Sequence, residues 1–271
     1  MNAFPQHFSF EFRTGIRNRS LLLMTYLFPL LVYVLLGALM TAVNPMFRET
    51  MIPAMIIFAT MSGTLLSLPS ALVTARKAGI FRSYKINGVP AISILLIPAL
   101  SVLLHLVVIT VIITFTAPLA FNAPLPVNWF GFVLTFILIV AVCAGLGLLI
   151  GVVSSSSQTT VLLGQILFLP SMLLGGLMLP TSILPDALRK IAMLLPTTYA
   201  MNAFRGLALG LPTDYNPVWS VAVLAASTVL AFGLALYLFN WNSDDATQNK
   251  RLPLALIAML PFVVGMLLLG G

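Results

Sequence analysis

Seven apolar runs, each long enough to cross a lipid bilayer as a helix, limit most strongly how this chain can fold. A helix of roughly 20 apolar residues spans the ~30 Å hydrocarbon core, since each residue adds about 1.5 Å. A backbone in lipid must satisfy its own hydrogen bonds, and the runs lack the alternating pattern of membrane β-barrel strands. The sequence therefore predicts an all-α polytopic transmembrane helix bundle that forms a single domain over residues 1–271.

The composition agrees with this class, because only 7% of the residues are charged and the mean hydropathy is +1.10. In soluble domains about a quarter of the residues are charged. Prolines within the runs predict kinks, which neighbouring helices can accommodate; these are Pro29, Pro53, Pro69, Pro98, Pro170 and Pro261. Six spans are predicted at Leu21–Ala42, Met51–Val73, Ile92–Ala117, Trp129–Val153, Thr160–Leu179 and Val218–Phe239, and a seventh, extra span at Leu252–Leu269. A loosely packed or re-entrant tail is the alternative for this last run, because Pro261 divides it.

The distribution of cations predicts the orientation in the membrane. With a cytoplasmic N-terminus, nine of the 13 Lys and Arg residues fall inside and four fall outside, as the positive-inside rule requires. The inner nine are Arg13, Arg17, Arg19, Arg76, Lys77, Arg82, Lys85, Lys250 and Arg251, and the outer four are Arg48, Arg189, Lys190 and Arg205. We expect a multi-pass protein of the cytoplasmic membrane that contacts anionic lipid head groups and binds no nucleic acid.

Residues 1–20 carry an aromatic pattern of their own. Phe4, Phe8, Phe12 and Ile16 recur at every fourth position, which indicates a helix lying in the membrane interface. A disordered leader, or a strand in which Phe8, Phe10 and Phe12 alternate, is the alternative.

The predicted spans contain little chemistry. No Asp, Glu, Lys or Arg falls within them, and His105 is more typical of a hydrogen bond to a neighbouring helix than of a ligand site. The single cysteine, Cys143, is predicted to pack as a small residue. The sequence offers no catalytic motif, no metal-ligand pattern and no phosphate-binding loop. We therefore expect no enzymatic activity and no cofactor in this chain, so that ATP with Mg²⁺ would act on a partner subunit.

A compact basic loop at residues 74–91, containing ARKAGIFRSYKINGVP, separates the second and third predicted spans. Aromatic and aliphatic residues alternate there with cations, and Gly88 and Pro90 follow, which predicts a short amphipathic helix. Aromatic residues and Arg are favoured anchors in protein interfaces, so the helix could dock on a soluble partner. An ordinary positive-inside loop is the alternative.

This loop resembles the cytosolic coupling segment of ABC-2 type ABC transporter permeases, with Arg76, Gly79, Phe81, Gly88 and Pro90 as the matching residues. Lys77 and Arg82 depart from the family pattern, which often has acids there.

A longer stretch at residues 173–210, LLGGLMLPTSILPDALRKIAMLLPTTYAMNAFRGLALG, is similar to the signature of the same family. It is interpreted as two short helices in a Pro-rich loop at residues 180–217, which enter the outer leaflet and return. Pro185 opens the first, Thr197 or Thr198 caps the second, and Gly210 with Pro212 ends it.

The resemblance covers about residues 8–239 and implies one permease of an exporter of the drug or antibiotic type. Two permeases, identical or homologous, would form a dimer on two ATP-binding subunits. The first, second and fifth spans would line a pathway for an amphipathic or lipid-like cargo such as a drug, peptide or glycolipid. The implied ATPase-coupling residues are Arg76, Gly79, Phe81, Arg82, Tyr84 and Lys85. The implied outer signature residues are Pro185, Pro196, Thr198, Tyr199 and Arg205.

Two other functions remain compatible with the residues themselves. A channel or an ion-coupled carrier would need polar groups at the midplane, where the chain offers mainly Ser, Thr, Gln165 and His105. A membrane assembly subunit without transport of its own is the second alternative.

Overall fold

The computed structural model describes residues 22–43, 47–241 and 252–270, and in these ranges all regular structure is helical. Within these described ranges six helices are long and apolar enough to cross a membrane, which confirms the predicted all-α polytopic bundle. The predicted interfacial helix at residues 1–20 lies outside the described residues. The helices are α1 (Leu23–Thr41), α2 (Phe47–Lys77), α3 (Ile80–Ile86), α4 (Ala91–Phe121), α5 (Trp129–Val153), α6 (Ser157–Leu174), α7 (Asp186–Ala192), α8 (Pro196–Ala203), α9 (Pro217–Leu238) and α10 (Pro253–Leu269).

The predicted spans coincide with the long helices, and most differences lie at the ends. The prediction for the fourth span is identical to α5, whereas α2 extends the second span by four residues in each direction. The predicted C-terminal end of the fifth span is wrong, because α6 ends at Leu174 rather than at Leu179. Gly176 has a φ of +82°, which lies in the left-handed region and cannot continue a right-handed helix.

Side chains of Asn and Ser mark where several helices begin. The Asn128 side chain accepts a hydrogen bond from the Gly131 backbone N–H at 3.1 Å and caps α5. Ser156 caps α6 by accepting from the Thr159 N–H at 3.1 Å, and Asn216 caps α9 by accepting from the Val218 N–H at 3.0 Å. Each cap satisfies a backbone donor that the first helical turn leaves unpaired. The sequence thus sets these boundaries locally.

The bundle has two central helices and a more exposed periphery. Most of α2 and α5 is buried, whereas α1, α6 and α9 leave most of their surface exposed. α5 packs against α2 on one side and α9 on the other. The basic loop lies at one end of the bundle, here called the basic end, and the Pro-rich loop lies at the opposite end, here called the Pro-rich end. Trp129 and Trp219 lie in the first turns of α5 and α9 at the Pro-rich end and are exposed, as in the aromatic belts of membrane proteins.

The seventh apolar run, α10, is a shorter helix with a 3₁₀ segment at Leu256–Met259. It packs on α9, and its Phe262 contacts Tyr199 of α8 in the Pro-rich loop. Phe262 is fully buried with its ring 5.7 Å from that of Tyr199, and the Tyr199 hydroxyl donates to the Phe262 carbonyl at 3.3 Å. α10 is therefore part of the packed bundle in this structure.

Gly265 permits this close packing, because a Cβ added there would overlap with the Tyr199 hydroxyl oxygen. We expect Gly265→Ala to lower the free energy of unfolding by about 1–3 kcal/mol, the usual cost of overpacking. Tyr199→Phe in the same chain should recover part of that loss, because it removes the oxygen that the new methyl group meets. Detergent-induced unfolding measures both effects, with the exposed Leu267→Ala as control. Absence of any recovery would show that the loss arises elsewhere.

Candidate functional site

The basic loop forms the predicted short helix, α3, between two glycines. Gly79 precedes it with a φ of +76°, and Gly88 follows it with a φ of +71°. Both values lie in the left-handed region, where a residue with a side chain is strained. These glycines allow the chain to turn out of α2, form two turns of helix and enter α4. The prediction of a short helix ended by Gly88 is confirmed.

Arg76 is the best-anchored of the implied coupling residues, since its side chain is buried. Its guanidinium donates to the carbonyls of Val152 at 3.2 Å, Gly151 at 3.4 Å and Ser154. These three carbonyls are at the C-terminal end of α5, where the backbone leaves acceptors unpaired and the helix dipole favours a cation. Arg76 therefore ties the end of α2 to the end of α5.

The two aromatic residues of α3 face the bundle. Phe81 is buried, and its ring centroid lies 5.6 Å from that of Phe239, which directly follows α9. Tyr84 is half-buried against the same core. The aromatic side chains thus anchor α3 to the membrane helices, whereas the sequence alone indicated that they could project toward a partner.

The opposite face of α3 is exposed and positively charged. Arg82, Lys85 and Ile86 are exposed there, and Ile86 is 78% accessible. Lys77 at the end of α2 is also exposed, and the sequence has no Asp or Glu between Glu49 and Asp186. The result is a cationic surface with an apolar residue at one side, a combination suited to an acidic partner with an apolar groove.

The Pro-rich loop forms the two predicted short helices, α7 and α8. Pro185 immediately precedes α7, as predicted, and the exposed Leu188 and Ile191 lie on that helix. α8 continues through a π-helical segment at Phe204–Ala208, and Gly210 follows with a φ of +66°.

The predicted threonine cap of α8 is wrong. Leu195 is the N-cap residue and Pro196 is the first helical residue, where its missing N–H costs nothing. Both threonine hydroxyls point back toward earlier helices instead. Thr198 donates to the Ala192 carbonyl at 2.6 Å, and Thr197 lies 3.5 Å from the Ser171 carbonyl. They join α8 to the ends of α7 and α6.

The other signature residues have mainly structural partners. Tyr199 is fully buried, and Arg205 donates to the Pro212 carbonyl from Nε at 3.2 Å and from Nη2 at 3.0 Å. Arg205 thereby closes the turn that returns the chain from α8 toward α9. The basic-loop residues and the Pro-rich-loop residues lie at opposite ends of the bundle and do not form one site.

Inside the bundle, His105 and Cys143 have the packing roles that the sequence predicted. The Tyr26 hydroxyl lies 2.8 Å from His105 Nδ1, so the imidazole joins α4 to α1. Cys143 is fully buried within α5.

Sequence reasoning missed a junction between two π-helical segments, Leu23–Leu27 in α1 and Ser62–Ser67 in α2. The Ser62 hydroxyl donates to the Met24 carbonyl at 2.6 Å and joins them. Such segments are rare and often occur at functional sites. Two prolines are the sequence feature that could have indicated these irregular segments. Pro29 and Pro69 follow the two π segments, and each lacks the backbone N–H that a regular helix would use.

Two glycines hold the π segment of α2 from the other side. A Cβ at Gly147 of α5 would overlap with the Thr64 carbonyl oxygen, and one at Gly164 of α6 would lie 2.6 Å from the Leu65 carbonyl oxygen. Four helices therefore meet at the π junction, defined here as these two π segments with Gly147 and Gly164. The junction contains helices from both the buried centre and the exposed periphery of the bundle.

Comparison with protein-family models gives a match over most of this chain. A family model described as ABC-2 type transporter matches residues 6–209, which is well over half of the chain and includes both the basic loop and α8. Searches of curated proteins and of solved structures found no match.

Proposed function

Because this chain belongs to the ABC-2 type transporter family, we propose that it is the permease of an ATP-driven exporter and binds its ATPase through the exposed face of α3. It is a multi-pass membrane permease, and permeases of this family generally work with an ATP-binding subunit. The observation that carries the proposal is the cationic, partly apolar face of α3, whose opposite face is anchored to the bundle.

We propose that the protein lies in the cytoplasmic membrane with its basic end on the cytoplasmic side. Four cations and no acidic residue lie between residues 74 and 91, which the positive-inside rule assigns to the inner side. The Pro-rich end, with α7 and α8, then faces outward. In this orientation α10 serves as a seventh span and ends outside.

Closure of the ATP-binding partner would push on α3, and this force would pass to the ends of α5 and α9. Arg76 links the end of α2 to the end of α5, and Phe81 links α3 to the residue that follows α9. Gly79 and Gly88 form the hinges on either side of α3. We infer that the central helices move as a unit and that the exposed α1 and α6 shift against them at the π junction.

The proposed pathway lies between two copies of the chain, identical or homologous, and is lined by α1, α2 and α6. α1 and α6 leave long apolar surfaces exposed, including Leu31, Val34, Leu162 and Ile166. Such surfaces favour an amphipathic or lipid-like cargo, as in exporters of drugs, peptides or glycolipids. An ion-coupled carrier is less favoured, because the described spans carry Arg, Lys, Asp and Glu only toward their ends.

Affinity purification of the tagged chain from its native membranes tests the proposed ATPase contact. We expect an ATP-hydrolysing subunit to co-purify, and Arg82→Glu with Ile86→Asp to reduce its recovery by about ten-fold, because central contacts are each worth more than 1 kcal/mol. The charge reversal Lys190→Glu at the Pro-rich end is the control.

Phe81→Ala should retain the ATPase but lose the dependence of hydrolysis on cargo, since it loosens α3 from Phe239.

Undiminished recovery of the ATPase with Arg82→Glu and Ile86→Asp would contradict docking through this face. Transport by the purified chain alone, driven by an ion gradient in vesicles without any ATPase, would contradict the exporter proposal and support an ion-coupled carrier.

A further inference from the structure

A cleft of ≈ 490 Å³ opens at the Pro-rich end, between α7, the loop at Asp214 and the end of α10 at Leu269. This volume lies within the range of about 300–1,000 Å³ that is typical of small-molecule sites. Two smaller cavities continue it, because the first shares Thr181 and Tyr215 with the cleft and the second shares Arg205 with the first. The three cavities therefore adjoin one another and are together called the recess here, and the cleft has the largest volume of the three.

Charges of both signs line the cleft in equal number. Asp186, Arg189, Lys190 and Asp214 contribute to its walls, so its formal net charge is zero. The described carboxylates all lie along the recess, since Glu49 lines its far end. The basic end, by contrast, is purely cationic over the described residues.

The cations of the cleft are available to a ligand. The only ion pair among the described residues joins Arg189 to Asp186, three positions apart on α7, and both side chains are at least half exposed. Exposed pairs of this kind contribute only about 0–1 kcal/mol, so an incoming anion can replace the carboxylate. Lys190 has no carboxylate partner in the described part of the chain.

Another part of the cleft lining carries groups that can bind a cation. Asp214 accepts a hydrogen bond from the Thr181 hydroxyl at 2.6 Å, and the ring of Tyr215 lies next to it in the chain and in the cleft. A carboxylate beside an aromatic residue suits a substituted ammonium group, because such a cation is attracted both to negative charge and to aromatic rings. Burial raises the pKa of the Tyr215 phenol above its ordinary value, which keeps the side chain neutral.

The cleft also has an apolar side. Met193 and Leu269 contribute to its lining, and Ile183, Leu188 and Ile191 are exposed on and beside α7. A hydrocarbon chain attached to a head group in the cleft can lie on these residues.

We propose that this cleft binds the zwitterionic head group of an amphiphile, with its phosphate or carboxylate against Arg189 and Lys190 and its ammonium against Asp214 and Tyr215. The inference deepens the proposed export of an amphipathic cargo and rests on it for its biological meaning. The binding itself depends on neither ATPase nor orientation. The cleft would receive such a molecule at the outer surface, either as released cargo or as a lipid of the outer leaflet.

A fluorescent reporter at the cleft tests this binding. Ala187 is exposed on α7, and the single native cysteine is buried, so Ala187→Cys can be labelled selectively with acrylodan. The labelled protein is placed in phosphatidylglycerol nanodiscs, which contain no zwitterionic lipid, and titrated with dodecylphosphocholine. Dodecyl maltoside supplies the same tail without charge, and glycerophosphocholine supplies the head without a tail.

We expect a saturable change with dodecylphosphocholine and at least about ten-fold weaker binding of dodecyl maltoside, because charged hydrogen bonds are the strongest available contacts. Arg189→Gln with Lys190→Gln, and separately Asp214→Asn, should each weaken binding by about ten-fold. Arg82→Gln at the opposite end is the matched control and should leave the binding of dodecylphosphocholine to the purified chain unchanged.

Equal binding of the maltoside, or full binding by the charge variants, would overturn recognition of the head group. Binding of glycerophosphocholine as tightly as dodecylphosphocholine would overturn the role of the tail. Either negative result would leave the ATPase purification unaffected, so failure of this inference is distinguishable from failure of the proposed exporter.

Discussion

Gly147→Ala is expected to lower the free energy of unfolding by about 3 kcal/mol, at the upper end of the usual cost of overpacking. The added methyl group would meet the Thr64 carbonyl oxygen, which belongs to the backbone and cannot rotate away. α5 must then separate from the π segment of α2. SDS-induced unfolding followed by tryptophan fluorescence measures this loss in the purified protein.

Two further glycines determine whether the effect belongs to the π junction. Gly164→Ala places a methyl group 2.6 Å from the Leu65 carbonyl oxygen, and it should destabilise the protein in the same direction. A Cβ added to Gly233 on α9 would meet no atom of a neighbouring helix within 4 Å, so Gly233→Ala should change stability by no more than about 0.5 kcal/mol. Equal stability of the Gly147 and Gly233 variants would show that close contact at the junction is unimportant.

The π junction also predicts an effect on transport. If α6 must shift against α2 during the cycle, Gly164→Ala will slow ATP-dependent transport at temperatures where the variant is fully folded. Vesicle transport, measured with the co-purified ATPase, then separates this effect from stability. Unchanged transport per folded molecule would restrict Gly164 to a packing role.

Arg76→Ala is expected to lower the free energy of unfolding by about 2–4 kcal/mol, because buried acceptors that lose a charged donor are costly. The carbonyls of Gly151, Val152 and Ser154 would lose a shared donor at the end of α5. Arg76→Lys should recover only part of the loss, since an ammonium lacks the planar fork that reaches several acceptors together. The same unfolding measurement applies to both variants.

Arg82→Ala is the control for Arg76, because it removes the same side chain from an exposed position six residues along the basic loop. It should leave stability within about 0.5 kcal/mol of the wild type while weakening the proposed contact with the ATPase. An Arg76→Ala variant as stable as Arg82→Ala would contradict the role of Arg76 as the cap of α5.

The helical type and the approximate bounds of the six long spans followed from the sequence, whereas the run predicted as a seventh span forms the shorter helix α10. Membrane insertion requires about 20 apolar residues in a row and permits only self-satisfied backbones, so composition and length suffice. The local signals at Asn128, Pro185, Gly79 and Gly88 act within a few residues, and each acts in the structure as a cap or turn. The short helix of the basic loop was predictable for the same reason.

Only the tertiary structure decided which side of each helix meets a neighbour. In a membrane chain the outward and inward faces are both apolar, so hydrophobic periodicity does not separate them. Thus Phe81 turned out to anchor α3 to Phe239, and Arg76 to cap a helix 75 residues away in sequence. The threonines expected to cap α8 instead donate to Ala192 and lie near Ser171, because the helix begins at Pro196 and both threonines therefore lie inside its first turn rather than at the N-cap.

The sequence alone determined that this chain is a bundle of membrane-crossing helices with a basic loop at one end and a Pro-rich loop at the other. The tertiary structure decided the π junction, the cleft beside α7 and the docking of α10 on Tyr199. The physical reason is the distance along the sequence over which each feature is determined. The length of an apolar run, a helix cap and a turn all depend on residues that are neighbours in sequence. Close contacts at Gly147, Gly164 and Gly265 depend on backbones that meet only after the helices have packed.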